Sequence, residues 1–411
     1  MESKALKAAL ENFNIKDNRL CIKGMSIAKI VESSGTPCYL YDTSVVQSKI
    51  NLLRHHLPED FLLYYAVKAN PNPELLKFIN PLVDGFDIAS SGELDAVIEA
   101  GADHSQISYA GPGKTIDDLS NALAHQIGSI NIESESELLK LVELGRKKGV
   151  QPNISVRINP DFELHGSGMK MGGGPKQFGI DVELVPEVLK KIKDLPVNFK
   201  GFHIYSGSQN LNAESISLTL EKIFKTIKEL AGYIDQNINM INFGGGFGIP
   251  YFSNDEPLDI QKIGVALKSM TPSLKKAFPQ TKFVIELGRY ISGECGIYVT
   301  KVVTKKKSRG KTFLVTDGGM NHHLAASGNL GQVLRKNYPI VNPEKLWSEK
   351  TETYQIAGPL CTPLDSLGVN VELPVTEEGD YIAIMNSGAY GYTASPLYFL
   401  SNKLPIEIII G

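Results

Sequence analysis

Four cysteines, Cys21, Cys38, Cys295 and Cys361, are scattered through 411 residues. They are too few for a disulfide framework, and no CxxC pair suggests zinc. Three of them read as buried small hydrophobes. The chain also lacks an excess of either charge. Lys+Arg number 42 against 45 Asp+Glu, a formal net charge of −3, so no global field draws it to nucleic acid or to an anionic lipid surface. No apolar run reaches membrane-spanning length, and residues 1–24 carry mixed charge without the apolar core of a secretory signal. A cytoplasmic protein with no nucleic-acid or membrane partner is expected. Repeats and low-complexity tracts are absent as well, which excludes solenoid and linker-like readings. What remains is 42% hydrophobic and 21% charged, an ordinary globular balance with room for two or three domains, or a barrel plus one smaller unit.

Eight apolar β-type runs alternate with amphipathic stretches at 62–67, 85–90, 107–111, 129–133, 154–159, 201–205, 240–243 and 283–287. The intervening helical segments include 93–100, 134–148, 185–193 and 215–233, with a further helix at 45–57 before the first strand. Ser134 and Glu137 have the spacing of a capping box. Eight strand-then-helix units predict a closed parallel (β/α)8 barrel, the TIM-type α/β architecture. After about residue 290 short β runs take over, at 296–305, 312–315, 353–356, 370–373, 381–386 and 405–410. The strand-like segment 37–41 precedes the first barrel helix and is expected to pair with this later sheet. The predicted division is therefore a barrel at 44–290 and a discontinuous, mainly β domain from 1–43 and 291–411.

A (β/α)8 barrel carries its chemistry at the C-terminal ends of its strands. Lys68 ends the first, in YYAVKANPNPELL, where desolvation favours an amine able to condense with a carbonyl. A lysine snorkelling at a strand end is the bland alternative. Strand two carries Asp87 and Ser90, and strand five Arg157. Strand six runs through His203, Tyr205 and Ser208, and either ring could lie on a planar cofactor. Strand seven runs into the glycine cluster 244–248, including Gly245 and Gly246, which reads as a phosphate cradle or as a tight turn. Strand eight ends in Glu286, Leu287, Gly288 and Arg289. An amine, a phosphate cradle, a stacking ring and a buried carboxylate together match pyridoxal 5'-phosphate. A carboxylate at the pyridine nitrogen favours carbanion-forming reactions such as decarboxylation.

YYAVKAN, FDIASSGEL, GGGFG, ELGR, GPLCTPLD and SGAYG resemble, in order, the successive motifs of the fold-type III pyridoxal-phosphate decarboxylases, the group of diaminopimelate and ornithine decarboxylases. The resemblance covers nearly the whole chain. It implies an alanine racemase-like barrel and β domain, Lys68 as Schiff-base lysine and Glu286 as pyridinium partner. Asp87 and Arg157 would support the ring, and Ser208, Gly245, Gly246, Gly288 and Tyr390 would surround the cofactor and its phosphate. Arg289 would lie beside phosphate and substrate. Arg335 and Tyr338 resemble the substrate-binding Arg and Tyr, with spacing one residue short. Cys361 resembles the proton donor, delivered across a homodimer with shared active sites, and a thiol suits reprotonation of a carbanion. The combination argues against a racemase, an aldolase and a catalytically inactive regulatory paralogue.

The residue after this cysteine is Thr362, where members acting on basic amino acids carry Asp or Glu. Leaving a buried distal ammonium without its partner costs on the order of 3–5 kcal/mol. Free diaminopimelate, lysine, ornithine and arginine are therefore not expected as substrates, although diaminopimelate decarboxylation in lysine biosynthesis is the alternative reading. ELGR in place of EPGR and the interrupted HxGSQ, with KMGGGPKQFGID, are most similar to a subgroup of antibiotic and siderophore pathways. Its members decarboxylate a glutamyl group on an acyl carrier protein or a citryl conjugate. The loop 163–177 reads as a lid or as an ordinary flexible loop. The basic run 305–311 reads as a solvated hairpin tip or as a dock for an acidic carrier protein. His322 and His323 diverge on a strand, so no metal is expected.

Overall fold

A computed structural model describes residues 3–164, 166, 168–332 and 334–411. Two compact units emerge. One holds residues 49–248 and 258–288, and the other holds 1–48, 249–257 and 289–411.

In the first unit eight parallel strands close into a barrel: Phe61–Ala66, Gly85–Ile88, Ile107–Tyr109, Ser129–Ile132, Asn153–Asn159, Asn198–Ile204, Met240–Gly245 and Lys282–Leu287. The last pairs with the first, Glu286 lying opposite Tyr64, so no edge is left open. Every strand expected from the apolar runs is present. Strand residues are buried on both faces because barrel filling and the outer helices cover them from opposite sides. Helix starts are set by local side chains. Ser90 and Ser134 accept the N–H groups of Glu93 and Glu137, and Thr115 forms a reciprocal capping box with Asp118. The capping box expected at Ser134 is only half made: the Glu137 carboxylate takes the N–H of Glu133, one residue before the cap. Gly149, with φ 69°, ends helix Glu135–Lys148 in the left-handed conformation.

The second unit is a mixed sheet running Ile340–Val341, Tyr381–Ile384, Gly296–Ser308, Lys311–Thr316, Thr351–Ala357 and Ser366–Pro374. As expected, the early strand Cys38–Asp42 joins it, antiparallel to Gly296–Ser308 and parallel to Ile406–Ile410. Two helices without a counterpart in the sequence reading, Lys4–Leu10 and Ile27–Ser34, carry Ala9, Leu10, Ile27 and Val31 into a core with Leu40, Ile297 and Val299. The stretch 249–257, directly after the glycine cluster, also belongs here. Cys21, Cys38 and Cys295 are buried, whereas Cys361 is exposed. Among the described residues no helix is long and apolar enough to cross a membrane.

Candidate active site

Lys68 lies just beyond the first strand, in the single 3-10 turn Val67–Ala69, and not in the strand itself. The turn packs tightly against strand eight's exit, where a Cβ on Gly288 would meet Ala66 O and Ala69 Cβ at 2.7 Å. The half-buried Lys68 Nζ is 3.6 Å from Asp87 Oδ2 and 5.0 Å from the centroid of the Tyr205 ring. Asp87 Oδ1 is buried with no hydrogen-bond partner among the described residues. Burial first, and then the neighbouring Glu286 charge, push the Asp87 carboxyl well above the usual range.

Glu286 is buried to 2% exposure. Its Oε2 accepts from Asn242 Nδ2 at 2.7 Å and lies 3.3 Å from His203 Nε2. Burial opposes ionisation, but the His203 ring, Lys68 and Asn242 outweigh it and hold this carboxyl down at about 2. The two acids therefore diverge, one anionic and one disposed to hold a proton. His203 is 1% exposed and turned to Glu286, while Tyr205, two residues on, is half-buried with its ring toward Lys68.

Arg157 pairs with Glu133 at 2.6 Å and lies 5.1 Å from the Phe178 ring. Glu133 also accepts the N–H groups of Gly111 and Gly179. Burial works against its charge, yet Arg157 and Lys114 prevail and keep its carboxyl below the usual value. Strand seven ends where Gly244 and Gly246 have φ 68° and 82°. A Cβ on Gly246 would approach the Gly207 carbonyl oxygen to 2.1 Å, and one on Gly245 would meet Glu286 O at 1.9 Å. Only glycine allows strands six, seven and eight to approach so closely here. Ser208 is buried beside this crossing, in a two-residue strand paired with Met169–Lys170. The loop 163–177 is thus tied to this short strand beyond strand six, and Gly168 N–H donates to Ser208 O. His165 and Ser167 of that loop lie outside the described residues.

In the second unit Arg289 donates to Tyr251 OH at 3.0 Å, with its guanidinium carbon 4.5 Å from the Tyr390 ring centroid. The Tyr338 ring lies 4.5 Å from that of Tyr251, tilted by 38°. Arg335 donates to the Ser366 carbonyl and lines, with Tyr338 and Tyr251, a cavity of about 660 Å³. Cys361 and Thr362 occupy the loop between strands Thr351–Ala357 and Ser366–Pro374. The loop is organised by Asp365, whose Oδ1 accepts Met320 N–H and whose Oδ2 accepts Leu360 N–H. His322 and His323 serve different partners, Tyr298 OH and Ser387 Oγ.

Asn242, Glu133, Asp365 and Tyr251 were not marked by the sequence reading. Each acts on another residue and carries no motif of its own. Only Asp365, the last letter of GPLCTPLD, lay inside a noticed pattern.

A family profile described as pyridoxal-dependent decarboxylase, pyridoxal binding domain, matches residues 43–293. The chain is 38% identical over 391 residues to the L-glutamyl-acyl-carrier-protein decarboxylase of Niallia circulans, covering 93% of this chain and 90% of that protein. It is 32% identical to the diaminopimelate decarboxylase of Aquifex aeolicus, covering 93% and 89%. The crystal structure of a diaminopimelate decarboxylase from M. jannaschii superposes with a TM-score of 0.90 at 25% identity, covering 98% and 94%. The chain belongs to the pyridoxal-dependent decarboxylases.

Proposed function

We propose that this enzyme decarboxylates an amino acid whose distal end is neutral, anionic or conjugated, with a glutamyl thioester of an acyl carrier protein as the best-supported substrate. The loop around Thr362 carries this reading. Thr362 Oγ1 accepts the Leu364 N–H at 3.3 Å, and both oxygens of the one acid in the loop, Asp365, are committed to backbone N–H groups. Nothing in that loop can neutralise the distal ammonium of a free diamino acid. The relative that shares 38% identity is named for a glutamyl carrier substrate, which agrees.

The residues present fit pyridoxal phosphate: an amine beside a buried unpartnered carboxyl oxygen, an anionic carboxylate, and a glycine crossing that only a side-chain-free backbone can form. When bound, the cofactor supplies an electron sink for the pair released as carbon dioxide leaves. Lys68 Nζ is the attachment point. Glu286, anionic and held by Asn242, would pair with the protonated ring nitrogen of the bound cofactor. Asp87, 3.6 Å from Lys68 Nζ, would support the ring, and Tyr205 would provide the stacking face. His203 is assigned to orienting Glu286 with Asn242. Arg157, fixed by Glu133, would support the ring, and Ser208, Gly245, Gly246, Gly288 and Tyr390 would hold the phosphate. Arg289, Arg335 and Tyr338 contact substrate. Cys361 Sγ, exposed on its loop, reaches the site of a second copy in a homodimer and delivers the final proton.

The test is carbon dioxide release from glutamate thioesterified to an acyl carrier protein, compared with free diaminopimelate, ornithine and lysine. The thioester alone is expected to turn over efficiently. Efficient release from a free diamino acid would overturn the reading.

A further inference from the structure

The strands Gly296–Ser308 and Lys311–Thr316 form a long hairpin, with Lys306 opposite Phe313, Lys307 opposite Thr312 and Ser308 opposite Lys311. Its two-residue turn, Arg309 and Gly310, has φ 47° and 80°, both in the left-handed region that closes such hairpins. The charges along it are not equivalent. Lys305 is neutralised within the fold, 2.9 Å from Glu377 and 3.3 Å from Glu352, and its N–H is accepted by Glu378. Lys306, Lys307, Arg309 and Lys311 are exposed and form no ion pair among the described residues. Glu352 and Glu377 are bound to Lys305, and Lys307 acts on Glu352 only through space, without an ion pair. Four cations therefore remain on one rigid β tip, in a chain whose overall charge is −3.

The tip has a fixed relation to the Cys361 loop. Strand Lys311–Thr316 runs parallel to Thr351–Ala357, with Thr312 opposite Tyr354 and Val315 opposite Ala357. At about 3.3 Å per residue, roughly 13 Å of strand separates Lys311 from the end where the chain turns toward Cys361. A partner seated on the tip would have to present its substrate on an extended arm.

We infer that residues 306–311 are the docking surface for the acidic face of a carrier-protein domain, an inference that rests on the carrier-bound reading above. Charge complementarity favours this occupant. Unpaired cations on an ordered tip raise the encounter rate with an anionic partner, and the attraction falls with ionic strength.

The experiment uses the full-length holoenzyme and a variant combining Lys306→Glu, Lys307→Glu, Arg309→Glu and Lys311→Glu. Both are assayed on glutamate thioesterified to an acyl carrier protein and to pantetheine, across a salt series. For the carrier-bound substrate the variant is expected to lose at least about tenfold in kcat/KM at low salt, together with the wild-type salt dependence, while the pantetheine thioester is consumed at the wild-type rate. Unchanged kinetics on the carrier-bound substrate would reduce the tip to a solvated face and leave the carrier reading standing. An equal loss on both thioesters would also overturn the docking role, because a docking surface cannot affect a substrate without a carrier. A wild-type enzyme that ignores the carrier-bound substrate and consumes a free amino acid would remove both proposals.

Discussion

Replacing Glu286 with Gln changes one buried oxygen to an amide and preserves shape. Two effects on stability oppose each other. The charge-assisted bond from Asn242 weakens, a loss of about 1.5–3 kcal/mol when a charged group is involved, and His203 Nε2, 3.3 Å away, loses its anionic neighbour. The cost of keeping Asp87 protonated beside that charge falls at the same time, so the net change should stay within about 2 kcal/mol. Catalysis has no such compensation. Loss of a preorganised charge at the reacting group should cost about 3 kcal/mol, roughly a hundredfold in kcat. Carbon dioxide release measured at matched cofactor occupancy, beside a urea unfolding curve, separates the two. The acid limb supplies a second reading. Glu286 has a folded pKa of about 2 against 4.5 ordinarily, so its stabilisation is complete above about pH 4.5 and is lost as pH falls toward 2. For Asp87, raised from 3.8, the sign is opposite: its contribution is full below that value and is lost as pH rises. The variant should therefore lose less stability than wild type on acidification. A fully loaded Glu286→Gln enzyme with wild-type kcat would refute the reasoning.

Three further outcomes follow from individual contacts. Cys361→Ala should slow turnover at least tenfold with the bound cofactor's visible spectrum unchanged, and normal turnover would remove the thiol from proton delivery. Gly246→Ala forces a Cβ to 2.1 Å from the Gly207 carbonyl at φ 82°, so thermal unfolding should show a loss of more than about 2 kcal/mol; an unshifted transition would contradict the tight crossing. Asn242→Ala frees Glu286 Oε2 and also the Gly244 N–H that Asn242 Oδ1 accepts at 2.8 Å. Cofactor dissociation followed by absorbance should accelerate, and Asn242→Asp should not restore it, because a carboxylate cannot donate to Glu286.

The barrel was legible because each strand is a short apolar run covered on both faces, and the strand Cys38–Asp42 because a β run sat before the first barrel helix. Lys68 was readable as a strand-end lysine but not as a residue of a 3-10 turn, since VKA carries no turn signature. The assignment of 249–257 to the second unit had no local signal. Tyr251, in that stretch, finds Arg289 and Tyr338 through tertiary packing alone. His203 and Tyr205 are two residues apart on one strand, and alternation could not separate them. In the fold one ring contacts Glu286 and the other Lys68.

Incubation with pyridoxal phosphate, before and after Lys68→Ala, is the most direct measurement. Wild-type protein should acquire a visible absorption band that borohydride fixes covalently at residue 68, and the variant should acquire none. A colourless wild type, or a band that persists in Lys68→Ala, would contradict the account at its root.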